Sequence, residues 1–188
     1  MSLVSYLVDL KKDSLKTFQE QLQIINTFHE LGQTIPAAEF ILEQYGLSHP
    51  NFKGFELREK AKPEFILMTT EGVPGEPQII RIPENTFEFP LPLMLNLLMH
   101  EMIHVSQKTK ENWIADKNER EWQAYYEMLF HTQFPQIPEL SDFYKRFFAN
   151  KALEYYNRMG ENCVLQHKYA LQKQQVDQLL QLLNEKLK

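Results

Sequence analysis

The chain has 188 residues, 43% of them hydrophobic, enough to bury a sizeable core as one domain or as a core with a helical extension. Its net charge of −5, with only the short and separated basic clusters Lys11-Lys12 and Lys108 to Lys110, argues against nucleic acid as a partner. The lone cysteine, Cys163, excludes an intrachain disulfide and reads as a buried small residue. Met1 to Leu10 lacks the basic start and small-residue cleavage site of a signal peptide, and the apolar run Leu91 to Met99 is too short to span a membrane, so a cytoplasmic location is expected.

The first zone, Ser2 to Tyr45, is predicted to be helical. Leu15, Phe18, Leu22, Ile25, Phe28 and Leu31 recur at helical spacing, Gly32 follows as a stop, and Pro36 restarts a helix ending near Gly46. This stripe reads as core packing, and His29 and His49 as surface residues. The second zone, from about Phe52 to Pro90, carries the β signals. Phe55-Glu56-Leu57, Phe65-Ile66-Leu67-Met68 and Gln78-Ile79-Ile80-Arg81-Ile82 read as strands, Gly72 to Pro77 as a turn, and Pro63 and Pro83 as strand ends.

Leu91 to Gln107 then reads as a helix apolar on nearly every side, interrupted by His100-Glu101-Met102-Ile103-His104. Two residues four apart on a helix lie about 40° apart on one face, so both imidazoles can reach one ion. Zinc suits such a pair, and Glu101, about 100° around the helix, can lean toward an open coordination position as general base. In a chain of this composition roughly 0.02 such matches arise by chance. Ionisable groups on a buried helix also need a partner, because desolvating them unpaired costs several kcal/mol.

A third protein ligand is expected from another element. A second helix starts near Asp116, where Glu119 and Glu121 compete. Glu119 stands three residues after Asp116, the spacing of a capping box, which gives it a structural job. Glu121 shares a face with Ala124 and Tyr125, and the small alanine allows close approach to the metal helix, so Glu121 is favoured. The alternative is that both are solvated first-turn carboxylates.

His100-Glu101-Met102-Ile103-His104 followed by Glu121-Trp122-Gln123-Ala124 resembles the gluzincin branch of the zincin metallopeptidases, in which an HExxH helix precedes a helix carrying a glutamate ligand in an ExxA context. Gln107, completing HExxHxxQ, also recurs in small proteins of this type. The resemblance covers roughly Glu64 to His131. Many such families carry Asp after the alanine, where this chain has Tyr125, and so lack here that aspartate's contact to a ligand histidine. The resemblance further implies a strand beside the metal helix with an open edge for an extended peptide, and Gln78 to Ile82 stands in the required place.

The third zone, Trp122 to Lys188, is again predicted helical. Pro135 to Pro138 divides the glutamate helix from Ser141 to Met159, and Gly160 is a plausible stop. Val176, Leu179, Leu180, Leu183 and Leu187 form one face of a last helix that docks on the N-terminal helices or on a second subunit. Hydrolysis also needs a group to hold an oxyanion. Tyr125, Tyr126, His131, Tyr155, Tyr156, Arg158 and His167 are candidates, with His131 the single choice because it follows Glu121 by about three turns.

The expectation is therefore an α+β, mostly helical zincin-like fold with a small sheet beside the HExxH helix. It forms one domain over residues 1–188, with helical parts at 1–46 and 141–188 flanking the sheet and metal-binding helices at 52–131. The expected function is zinc-dependent hydrolysis of a peptide or protein substrate. His100, His104 and Glu121 hold the metal, and Glu101 and His131 take catalytic roles. The alternatives are a non-catalytic metal-binding or protein-interaction module, against which the intact Glu101 argues, and a metal-dependent amidase acting on a small molecule.

Overall fold

The computed structural model describes residues 17–62 and 64–186. The helix expected over Ser2 to Lys16, the strand end at Pro63 and the contact of Leu187 lie outside the described residues.

The described chain is mixed α+β, with helices α1 (Phe18–Glu30), α2 (Thr34–Gln44), α3 (Leu91–Gln107), α4 (Lys117–Phe130), α5 (Asp142–Arg158), α6 (Val164–Lys168) and α7 (Ala170–Glu185), and strands β1 (Phe52–Arg58), β2 (Thr69–Glu71) and β3 (Gln78–Pro83). Helix starts follow local chemistry. Thr17 and Glu20 form a reciprocal capping box at α1, Asp116 accepts from the Glu119 N–H at 2.9 Å to open α4, and Ser141 caps α5. Gly32, at φ 67°, takes the left-handed turn that ends α1, and α2 begins two residues before Pro36, at Thr34.

The sheet order is β1-β3-β2, with β1 parallel and β2 antiparallel to β3. This corrects two expectations. Gln78 to Ile82, expected to offer an open edge, is the central strand and is paired on both sides. The strand expected at Phe65 to Met68 starts only at Thr69, while Phe65 makes an isolated bridge to Lys62. Continuing the register Thr69↔Arg81 backwards would place Leu67 opposite Pro83, which has no N–H to give the ladder. The edge strand that packs against α3 is thus β2.

Helix α3 is the buried centre of the molecule. Leu95, Leu98, Met99 and Val105 are wholly inaccessible, as are Ile80 and Ile82 of the sheet and Trp122, Ala124 and Met128 of α4. Ala124 is fully buried on α4, which packs on both α3 and α5. Helix α5 packs on α4, and α7, with Val176 and Leu183 buried, packs on α5 and α4, where the N-terminal helices or a second subunit were expected. Cys163 is half-buried, not buried as expected. Its Sγ accepts from the Gln166 N–H at 3.4 Å and caps α6, a polar use that holds it near the surface. No helix among the described residues is long and apolar enough to cross a membrane.

Candidate metal centre

Helices α3 and α4 bring His100, His104 and Glu121 together. The two Nε2 atoms are 3.0 Å apart, His100 Nε2 is 3.5 Å from one Glu121 oxygen, and His104 Nε2 is 3.6 Å from the other. Around a tetrahedral zinc with bonds of about 2.0–2.1 Å, neighbouring donor atoms sit roughly 3.3–3.4 Å apart. The donor set and its spacing fit a zinc ion or a similar divalent metal. Both histidines are buried, and Glu121 is partly buried.

The electrostatics of the cluster follow from this crowding. Burial works to raise the Glu121 pKa, but hydrogen-bonding contact with His100 and then His104 outweighs it and holds the carboxyl well below the usual range. Burial works to lower the His104 pKa, yet Glu121 and then Glu101 hold it above its ordinary value. A neutral pair of imidazoles and a carboxylate offer more lone pairs than protons, which a cation would satisfy.

Glu101 is buried on the same helix and stays out of the donor triangle. Thr70 of β2 donates its hydroxyl to the Glu101 carboxylate at 2.8 Å, and the same oxygen lies 2.9 Å from the Glu101 carbonyl. This contact docks the edge strand on α3. Sequence reasoning missed Thr70, since only the hairpin register aims it at Glu101.

A cleft of about 370 Å³ opens on the cluster. Leu67 to Thr70 form one wall and His100, Glu101, His104, Glu121, Tyr125 and Tyr155 another, with Lys108, Lys117 and Arg120 also lining it. Burial, followed by repulsion from Arg120, lowers the Lys108 pKa. Tyr125, standing where the resembled families carry aspartate, lays its ring edgewise against His100 with centroids 4.6 Å apart. His100 Nδ1 has no hydrogen-bond partner among the described residues, so aromatic packing replaces the usual polar support of that ring. Burial, then the Glu121 charge, pushes the Tyr125 phenol far above its ordinary pKa, keeping it a protonated donor.

The remaining candidates part company. Tyr155 lies in the cleft and stacks on Tyr125 with centroids 5.7 Å apart. Tyr126, Tyr156 and Arg158 are engaged elsewhere, with Gln175, the Gln166 carbonyl and Glu154. His167 is the fourth residue of α6 and is not among the cleft-lining side chains. His131, the single choice from sequence, does not reach the cleft. It is the left-handed cap of α4 at φ 46°, its Nε2 is 2.8 Å from Asn96 Oδ1, and the turn carries its ring one helical turn beyond the donor cluster on the α3 face. Glu119 is occupied too, accepting from Tyr169 Oη at 2.6 Å and from Lys168 Nζ at 2.7 Å. Its side chain therefore completes no reciprocal capping box with Asp116.

Compared with known proteins, the chain matches no family model, no curated protein and no solved structure.

Proposed function

We propose that the protein is a zinc-dependent metallopeptidase with a zincin-like fold of the gluzincin type, hydrolysing peptide bonds in the cleft between β2 and α4. The observation that carries this reading is the convergence of His100, His104 and Glu121 at donor separations of 3.0, 3.5 and 3.6 Å. Glu101, on the same cleft wall, makes the cluster suited to hydrolysis as well as to binding. When bound, zinc supplies Lewis acidity and lowers the pKa of a water toward about 7.

The chain's own residues then have separate tasks. Glu101 accepts the proton of the attacking water and returns it to the leaving amine as the C–N bond breaks. Thr70, by holding one carboxylate oxygen, fixes the Glu101 rotamer and leaves the other oxygen for the proton. Tyr125 and Tyr155 are the cleft-lining hydroxyls suited to an oxyanion. Edge strand β2 borders the cleft, and an extended substrate pairing with it would have to displace Lys108 from the Thr70 carbonyl.

Replacing Glu101→Gln keeps size and shape but removes the base. Zinc content should stay unchanged, while cleavage of an unfolded-protein substrate falls about 10²–10⁴-fold, roughly 3–5 kcal/mol of barrier. Equal cleavage by the two proteins would overturn the mechanism. Hydrolysis of small amides alone would favour the amidase alternative, and bound zinc with no hydrolysis at all the non-catalytic one.

A further inference from the structure

Behind His104 runs a line of buried and part-buried hydrogen bonds that leaves α3, crosses α4 and reaches the junction of α6 and α7. His104 Nδ1 is 2.8 Å from Gln107 Oε1. Gln107 Nε2 donates to Gln123 Oε1 at 3.0 Å, Gln123 Nε2 donates to Tyr169 Oη at 2.6 Å, and Tyr169 Oη donates to Glu119 Oε1 at 2.6 Å. Lys168 Nζ donates to the same Glu119 oxygen at 2.7 Å.

The direction of every link is set by groups that can act in only one way. An ammonium only donates and a carboxylate only accepts, so Tyr169 must spend its single hydroxyl proton on Glu119. Toward Gln123 it is then an acceptor, which turns the Gln123 amide nitrogen to Tyr169 and its oxygen to Gln107. A second constraint acts independently: Gln107 Nε2 also faces the Arg120 carbonyl at 3.1 Å, and a carbonyl only accepts. Both fix the Gln107 oxygen toward His104, which must carry its proton on Nδ1. With the ring neutral, the Nε2 lone pair then faces His100 and Glu121.

We propose that Gln107, Gln123, Tyr169 and Glu119 are positioning residues that hold His104 in its Nδ1–H form, so that the α6–α7 junction sets the readiness of the site for a metal. The two histidines are thereby unequal. His104 is locked by this chain, whereas His100 is held by the Tyr125 ring with its Nδ1 unpartnered. The metal is the one taken in the proposed function, but the orientation of His104 is a property of the protein alone and is measurable without any ion.

The test uses uniformly ¹⁵N-labelled full-length protein, metal-free, in which imidazole ¹⁵N shifts and two-bond couplings report the tautomer of His104. At a pH where the His104 ring is neutral, wild type should show the Nδ1–H form. Tyr169→Phe removes one of the two constraints on Gln107, the Arg120 carbonyl remaining, and should admit a minor Nε2–H population of His104 and weaken zinc binding in competition with a chromophoric chelator. Gln107→Leu should weaken zinc binding by about 10–100-fold, the usual cost of losing such support. Tyr126→Phe, an equivalent hydroxyl deletion on α4 outside the chain, should change neither readout.

Gln107→Glu supplies a permanent acceptor to His104 and cannot donate onward, so it should restore the Nδ1–H form and make a further Tyr169→Phe silent. An unchanged His104 tautomer in Tyr169→Phe would overturn the proposal, as would a shift in Tyr126→Phe of equal size. Failure of wild type to bind zinc would sink the proposed function while leaving the tautomer measurement decisive for this chain.

Discussion

Helices α3 and α4 meet along one interface with two polar ends, and the ends behave differently. At one, Asn96 donates to the Pro92 and Pro138 carbonyls at 2.8 and 2.9 Å and meets His131 at 2.8 Å, so the groups at this contact are matched. At the other, two imidazole nitrogens and two carboxylate oxygens converge, a donor set that a cation would satisfy. Both ends hold buried or half-buried histidine on the same pair of helices. Matched donors and acceptors mark a joint, and an excess of lone pairs marks a place for a cation.

The largest effects should come from emptying the unmatched end. His100→Ala, His104→Ala and Glu121→Ala are each expected to take zinc from one per chain to none, while Glu119→Ala retains it, as metal analysis of the purified variants would show. With free zinc a hundredfold above its Kd, binding adds about 2.7 kcal/mol of stability, so a chelator should lower the melting temperature of wild type and not of the three ligand variants. Retained zinc in Glu121→Ala beside loss in Glu119→Ala would reverse the assignment of the third ligand.

Breaking the matched end should do the opposite. Asn96→Ala leaves the Pro138 carbonyl and the His131 ring without their partner and is expected to cost about 1–3 kcal/mol in urea unfolding of the metal-free protein. Zinc stoichiometry should be untouched. A variant that unfolds no more easily yet loses zinc would show that the two ends are not separate.

The smallest expected effect concerns pH. Burial, the leading cause, lowers the His131 pKa, with Glu127 and Glu139 working against it. The unfolded chain therefore takes up the proton first, near the ordinary histidine value of about 6.5. The contribution of His131 is present above that pH, declines as pH falls, and levels off below the folded-state pKa. The slope stays below about 1.4 kcal/mol per pH unit, the limit for one proton. His131→Asn keeps a residue tolerant of the left-handed cap and should remove this component. The difference between its urea-unfolding curve and that of wild type from pH 8 to pH 5 isolates it, and a constant difference would refute the assignment.

How much was legible in the sequence depended on how local the cause was. Helices α3 and α5 fall close to their expected limits because apolar spacing, proline and capping residues act within a few positions. The choice of Glu121 over Glu119 rested on a shared face with Ala124, and the structure brings that carboxylate to the histidines. What was not legible came from distant pairing. The central place of β3 depends on β1 arriving in parallel from the far side, which no pattern in Gln78 to Ile82 announces. Thr70 and Tyr169 carry no local signal, since each acquires its role from a partner more than thirty positions away. His131 was misplaced because helical spacing was counted through the point where α4 stops.

Strand β2 has one further consequence. It is one of the two outer strands of the sheet, and such strands invite pairing with other chains through unclaimed backbone groups. Here the strand is only 3 residues long, and the Lys108 ammonium already sits on the Thr70 carbonyl. A second copy approaching this border meets a spent acceptor and a positive charge that a stranger's backbone cannot neutralise. The lysine thus opposes sheet-to-sheet pairing along this strand.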